Sequence, residues 1–191
     1  WDVANVGAPI NTRIACADID TENLEPVELH SEENPHVSAD GQTLYFEAKH
    51  AYPGTDHQGD WDLYQARLQP DGGWSSPQNM GPNINTAAAE RQVWVGIDGF
   101  TGTLTTYFTR YDGDSSVLRS EYDAAVGVWG PSEEVLFDGQ DLHNGGEPSL
   151  TADGLAMYMV WDTDTTAGLQ LDIVVAERRD DGTWGAPQLV D

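Results

Sequence analysis

The sequence predicts an all-β chain made of repeated four-stranded antiparallel units, and three observations carry that expectation. Aligning VSADGQTLYFEA, VGIDGFTGTLTTYFTR and LTADGLAMYMVW sets turn aspartates at Asp40, Asp98 and Asp153, spaced 58 and 55 residues apart. Aligning DGGWSSPQNMG, AVGVWGPSEEV and DGTWGAPQLV sets Trp74, Trp129 and Trp184 at spacings of 55 and 55. Two independent landmarks with one period mean three copies of a unit. The third observation is that no segment carries a helical period. Each apolar run is short, alternating and bounded by Gly, Asp or Pro, as half-buried strands are.

Taken in order, the first copy offers strands at 35–38, 43–48, 62–68 and 73–78. The Asp-Gly pairs at Asp40, Asp98 and Asp153 supply the positive φ of a tight hairpin between the first two strands, and QPDGG and RDDGT do the same between the last two. Four-stranded units repeating at this period are the blades of a β-propeller, in which radial packing hides the sheet edges.

The same residues resemble a known family. The pattern ExxPxxSxDGxxLYF, followed by DLYxA and DGxWxxPxNxGxxINT, resembles the WD40-like β-propeller repeat of the TolB type, found in bacterial envelope proteins. It is carried by Glu32, Pro35, Ser38, Asp40, Gly41, Leu44, Tyr45, Phe46, Asp62, Leu63, Tyr64, Trp74, Pro77, Asn79, Gly81, Ile84, Asn85 and Thr86. The second copy lacks the proline in ERQVWVGIDG, and the third keeps Glu147, Pro148, Asp153 and Gly154. The resemblance covers residues 31–191 and implies architecture rather than activity, because such repeats serve many roles.

Residues 1–30 read as a degenerate blade. WDVANVGAPINT matches WSSPQNMGPNINT, and RIACADID and NLEPVEL read as further strands. The expectation is one domain over 1–191, with blades at 31–82, 83–136 and 137–191 and with 1–30 closing a four-bladed ring. The rival is an open half-propeller of three blades that dimerises into a six-bladed ring.

Composition narrows the partners. A chain of 191 residues with 39% hydrophobic content, seven Trp and seven Tyr should pack as a globule. Eight Lys plus Arg against 33 Asp plus Glu give a net charge of −25, which repels nucleic acid and anionic membrane surfaces. Cations, neutral sugars and basic proteins remain. Cys16 stands alone, so no internal disulfide or multi-cysteine metal site forms. No run approaches the roughly 18 apolar residues of a membrane span. The opening at Trp1 is compatible with a processed start and with a secreted, periplasmic or envelope location.

In a propeller the short turns SADG, TADG and QPDGG share one face. The longer connections, 49–62, 110–116 and 161–170 together with 29–34, 79–90 and 136–147, share the other, where binding residues usually gather. On that face Glu32 or Glu33, Glu90 and Glu147 hold equivalent places opening the strands that line the channel, with Arg91 as a counter-ion, and are read as a ring of ligand-binding carboxylates. The architectural alternative is that each Glu holds backbone of the neighbouring unit. Trp61, Tyr111 and Trp161 are rings set beside Asp and Asn in the way sugars are gripped, and His143 joins them. Asp56, Asp60 and Asp62, then Asp112 and Asp114, then Asp162 and Asp164 offer the hard oxygens calcium takes, although none forms a twelve-residue EF-hand loop. Solvated acidic loops are the plainer account of them.

Evidence for catalysis is missing from the sequence. There is no Gly-x-Ser-x-Gly elbow, phosphate-cradling loop or dinucleotide fingerprint, and Ser38-Ala39-Asp40-Gly41 is one residue tighter than the Ser-x-Asp-x-Gly box of sialidases. The expected function is therefore a non-catalytic binding module for a carbohydrate or protein, monomeric or homodimeric and assisted by calcium. The runner-up is a small polysaccharide-active hydrolase or lyase using channel-mouth carboxylates, and the third is an assembly module.

Overall fold

The computed structural model describes residue 10 and residues 31–140, 143–162 and 171–190. The degenerate blade expected over 1–30, apart from Ile10, lies outside the described residues, as do Cys16 and Asp164. The described residues form three antiparallel sheets. The first runs β1 (Glu32–Val37), β2 (Thr43–Ala48), β3 (Asp62–Arg67), β4 (Gln78–Asn79). The second runs β5 (Ala89–Ile97), β6 (Leu104–Asp112), β7 (Asp114–Asp123), β8 (Val128–Trp129), with β9 (Glu133–Glu134) also pairing β7. The third runs β10 (Gly145–Leu150), β11 (Ala156–Asp162), β12 (Leu171–Glu177), β13 (Gln188–Leu189).

The landmarks fall where the repeat requires. Trp74, Trp129 and Trp184 each sit opposite the end of their sheet's third strand, across from Leu68, Tyr122 and Arg178. Asp40 accepts hydrogen bonds from the Ser38 hydroxyl at 2.6 Å and the Gln42 amide at 3.0 Å, and Asp153 does the same with Thr151 and Leu155, so each aspartate builds its own turn.

The strand expected at 35–38 begins earlier, at Glu32, and the one expected at 73–78 is β4 at Gln78–Asn79, with Trp74 in an isolated bridge to Leu68. Two connections change as well. The hairpin at Asp98 is longer than the Asp-Gly pair suggests, and its positive φ falls at Gly102 rather than Gly99. Gly99 is needed for another reason, since a Cβ there would stand 1.6 Å from the Asp153 carbonyl oxygen of the third sheet. The 110–116 connection is also not a long loop. Asp112 and Asp114 pair across a one-residue turn at Gly113, φ 88°, so the strands simply run on.

Each sheet's first strand carries a bulge at the equivalent place, with register slips between Glu33 and His36, Arg91 and Trp94, and Gly146 and Ser149. The left-handed residues there are Asn34, Gln92 and Glu147, with φ of 47°, 50° and 58°. Such backbone costs a non-glycine residue on the order of 1–3 kcal/mol and persists only where the surroundings hold it. The holding groups come from the preceding sheet. The Gln92 amide donates to the Glu47 carboxylate at 2.7 Å, and the Glu147 amide donates to the Thr109 hydroxyl at 2.9 Å.

Apolar cores fill the spaces between sheets. Tyr45, Leu63, Val93, Val95 and Phe108 lie between the first and second, and Tyr107, Val117, Met157, Met159 and Trp184 between the second and third. Behind the first sheet, Ile10 joins Leu44, Phe46, Tyr52 and Tyr64, and the Tyr52 hydroxyl donates to the Ile10 carbonyl at 2.8 Å. Each such side chain contributes about 1.5–3 kcal/mol when fully buried. Among the described residues, no strand of the first sheet packs on the third.

At the short-turn end the second and third sheets are bolted together by an ion pair. Arg178 donates to both oxygens of Asp98, at 2.7 and 2.6 Å, and both side chains are buried. Burial alone would raise the Asp98 carboxyl, but Arg178 and the amides of Thr101 and Phe100 outweigh it and hold the group below its ordinary value of 3.8. A depressed folded pKa means the stabilisation is complete above the unfolded value and is lost as pH falls through the folded one. Urea midpoints recorded downward from pH 5 should therefore drop below about pH 4, near the unfolded aspartate value. Asp98→Asn should flatten that drop, and an equally steep fall in the variant would show that this pair is not its source.

Candidate functional site

Most of the side chains singled out by the sequence gather in two neighbouring groups at the end bearing the longer connections. The first is built on β1, β2 and β5. Arg91 donates from Nε to Glu47 at 2.8 Å and from a terminal nitrogen to Glu33 at 2.8 Å, and its guanidinium lies 4.4 Å from the Trp61 ring centroid. Burial works against the arginine charge, but Glu47 and Glu33 overcome it and raise the Arg91 pKa. Lys49 sits 6.0 Å from the same ring and pairs with Asp60 at 3.0 Å. Two cations, each paired with carboxylates, thus frame one aromatic face.

The second group lies between the second and third sheets. Tyr111, at the end of β6, and Asp114, at the start of β7, meet the backbone of Asn144–Gly146 and Glu147 around a cavity of about 350 Å³. His143 pairs with Asp114 at 2.8 Å, and the Trp161 indole N–H donates to the His143 carbonyl at 3.1 Å. A Cβ on Gly146 would meet the Thr109 side chain at 2.8 Å. The Tyr111 hydroxyl reaches Gln92 at 3.4 Å and so links the two groups, and burial raises its pKa against the opposing effects of Gln92 and Arg91. The phenol therefore stays neutral and offers a ring face and a hydroxyl.

Register changes the expected ring of carboxylates. Glu147 stands at the bulge, level with Asn34 and Gln92, whereas Glu90 lies two places earlier, level with Glu32. Glu90 is also fully buried. It takes hydrogen bonds from Arg110 at 2.7 Å, the Thr86 hydroxyl at 2.6 Å and the Thr86 amide at 2.9 Å. Its surroundings thus make it an internal brace out of a ligand's reach, and the backbone it holds belongs to its own unit, 83–136, rather than to a neighbouring one.

The aspartates divide in the same way. Asp62 is buried, and it accepts from the Gln58 and Gly59 amides at 2.9 and 3.2 Å and from Asn79 at 2.7 Å, so its lone pairs shape the loop before β3. Asp162 is buried at the end of β11. Asp56, Asp60, Asp112 and Asp114 are exposed. Among the described residues no three His, Cys, Asp or Glu side chains converge on one metal position.

The residue missed altogether was Glu47, which the sequence hides inside the apolar run TLYFEA. Its one signal was a carboxylate at a position where alternation demands burial, and such a group is almost never buried unpaired.

No protein-family model matches the chain, and no curated protein matches it. Three of the similar solved structures are two of the Trypanosoma rangeli sialidase and one of CoXyl43, a GH43 beta-xylosidase/alpha-arabinofuranosidase from a compost microbial metagenome. The sialidase matches at TM-score 0.45 and 17% identity, over 85% of this chain and 29% of that one. Its complex with the inhibitor DANA matches at 0.44 and 16%, over 81% and 28%. CoXyl43, in complex with xylotriose and calcium-free, matches at 0.47 and 15%, over 86% and 60%. The chain thus spans from 28% to 60% of the length of these proteins, and likenesses of this extent bear on neither substrate nor mechanism.

Proposed function

We propose that the protein is a non-catalytic binding module, secreted or held at the cell envelope, that grips a carbohydrate or a protein through the end bearing the longer connections. The observation that supports this is the 350 Å³ crevice where Tyr111, Asp114 and Glu147 meet beside Asn144–Gly146. A neutral phenol ring flanked by carboxylates offers a stacking surface together with acceptors for hydroxyl or ammonium donors. The hydrolase or lyase reading is weaker because Glu90 is locked by Arg110 and Glu33 is engaged by Arg91. The assembly reading has no observation of its own.

Calcium belongs to this proposal as a helper. Asp112 and Asp114 flank the Gly113 turn and supply two of its ligands, and backbone carbonyls, water or ligand hydroxyls would complete the six to eight oxygens the ion takes. The accompanying fold reading is a propeller. Tyr45 and Tyr107 occupy equivalent places and are 5% and 0% exposed beneath the next sheet, whereas Tyr158 at the same place in the third sheet is 42% exposed. That face is suited to closure by 1–30 in a four-bladed ring, or by a second copy in a six-bladed one.

Titration of the full chain against an array of neutral and acidic glycans should show binding that Tyr111→Ala weakens about tenfold, a change of ~1.4 kcal/mol, with no product released on chromatography. Product formation that Glu147→Gln abolishes would replace this reading with the hydrolytic one. Melting with calcium or with a chelator reads the ion, since binding to the native state alone raises the midpoint, and identical midpoints would remove calcium from the account. Sedimentation distinguishes the closures, giving the mass of one chain for the four-bladed ring and twice that for the six-bladed one.

A further inference from the structure

We propose that the crevice between the outer edges of the first and second sheets is a second binding site, one that takes a neutral oligosaccharide. This crevice encloses about 590 Å³, within the roughly 300–1,000 Å³ of small-ligand sites. Among the described residues it shares no lining residue with the Tyr111 crevice.

Its chemistry departs from the rest of the surface. The chain carries 33 Asp and Glu side chains, yet among the described residues Asp56 is the sole acidic one lining this crevice, and no Lys, Arg or His lines it. An anion finds no counter-ion there and a cation finds denser carboxylates elsewhere. In place of charge there are side-chain amides, with Gln58 from the loop before β3, Gln65 from β3, Gln78 from β4 and Asn83 from the connection to the second sheet. The side-chain amides of Gln58, Gln65 and Gln78 make no hydrogen bond among the described residues. Each presents two donors and an acceptor, and a sugar hydroxyl is likewise both donor and acceptor, so the pairing works in either direction without desolvating an ion.

The walls are fixed before any ligand arrives. Asn79 donates to the Asp56 carbonyl and to Asp62, both at 2.7 Å, and accepts from Gly81 and Asn85 at 2.8 Å, which sets the floor. Asn83 donates to the Trp129 carbonyl at 2.7 Å and ties one sheet to the other across the crevice. Tyr122 stands edge-on to Trp129, with ring centroids 5.2 Å apart, and gives the far wall an aromatic surface. The Trp129 indole N–H, buried in that wall, has no acceptor among the described residues. The floor and the aromatic wall are set before binding, and the ordering cost that remains falls on the glutamine side chains.

Saturation-transfer NMR on the full chain with cellohexaose, laminarihexaose and mannohexaose in turn tests this, with hexagalacturonate as the charged comparison. Transfer from at least one neutral hexasaccharide is expected, exceeding that from hexagalacturonate. Its affinity should fall about tenfold or more in a Gln65→Leu, Gln78→Leu double variant and stay unchanged in Tyr111→Ala. If the double variant melts below the parent, Gln78→Ala alone replaces it, because Gln78 is exposed and removing its amide leaves the packing intact. Absence of transfer from all three neutral sugars overturns the proposal. Binding that survives the glutamine changes and fails in Tyr111→Ala also overturns it, while leaving the Tyr111 reading standing.

Discussion

A single recurring constraint organises the molecule. The first strand of each following sheet is forced into a left-handed bulge whose amide points at the sheet before it, and that sheet must answer with a side-chain oxygen. Glu47 answers Gln92 and Thr109 answers Glu147. Each such hydrogen bond contributes about 0.5–1.5 kcal/mol net, and more where the acceptor is charged, so the bulge and its acceptor tie adjacent sheets together at one place. The apolar cores fill the rest of the gap between them. Glu47 does more than Thr109, because the carboxylate also gathers Arg91 and Asn34.

Scarcity of positive charge makes the few guanidinium groups consequential. Arg91 reaches from the second sheet to Glu33 and Glu47 of the first, Arg178 from the end of the third to Asp98 of the second, and Arg179 to Asp138 in the connection between them. Arg110 braces Glu90 and also donates to the Ile84 carbonyl and the Ser132 hydroxyl. With the arginines spent as cross-links, the remaining surface is strongly acidic, and neutral chemistry stands out against it. That is why the amide-lined crevice stands apart from the many aspartates.

The periodic parts of this architecture were readable in the sequence and the cross-sheet parts were not. The tryptophan spacing marks real equivalence because each indole sits opposite its third strand, and β2 falls where TLYFEA places it. Local chemistry decides such features, so a single chain displays them. The bulges escaped because Gln92 and Glu147 carry no left-handed preference of their own and adopt that backbone only since the neighbouring sheet demands it. Glu90 and Glu147 were aligned because both are glutamates, although backbone register separates them by two places, and one turns inward to Arg110 while the other opens on the crevice. The amide-lined crevice escaped for a related reason. Gln58, Gln65, Gln78 and Tyr122 are unremarkable singly and become a site only when two sheets bring their outer edges together.

Amide hydrogen exchange, followed residue by residue in the native state, addresses the clasp between sheets most directly. The account predicts that the Gln92 and Glu147 amides exchange as slowly as those in the central strands β2, β6 and β11, because opening either one requires separating two sheets. Exchange of those two amides at the rate of exposed loop positions, with the central strands still protected, would contradict it.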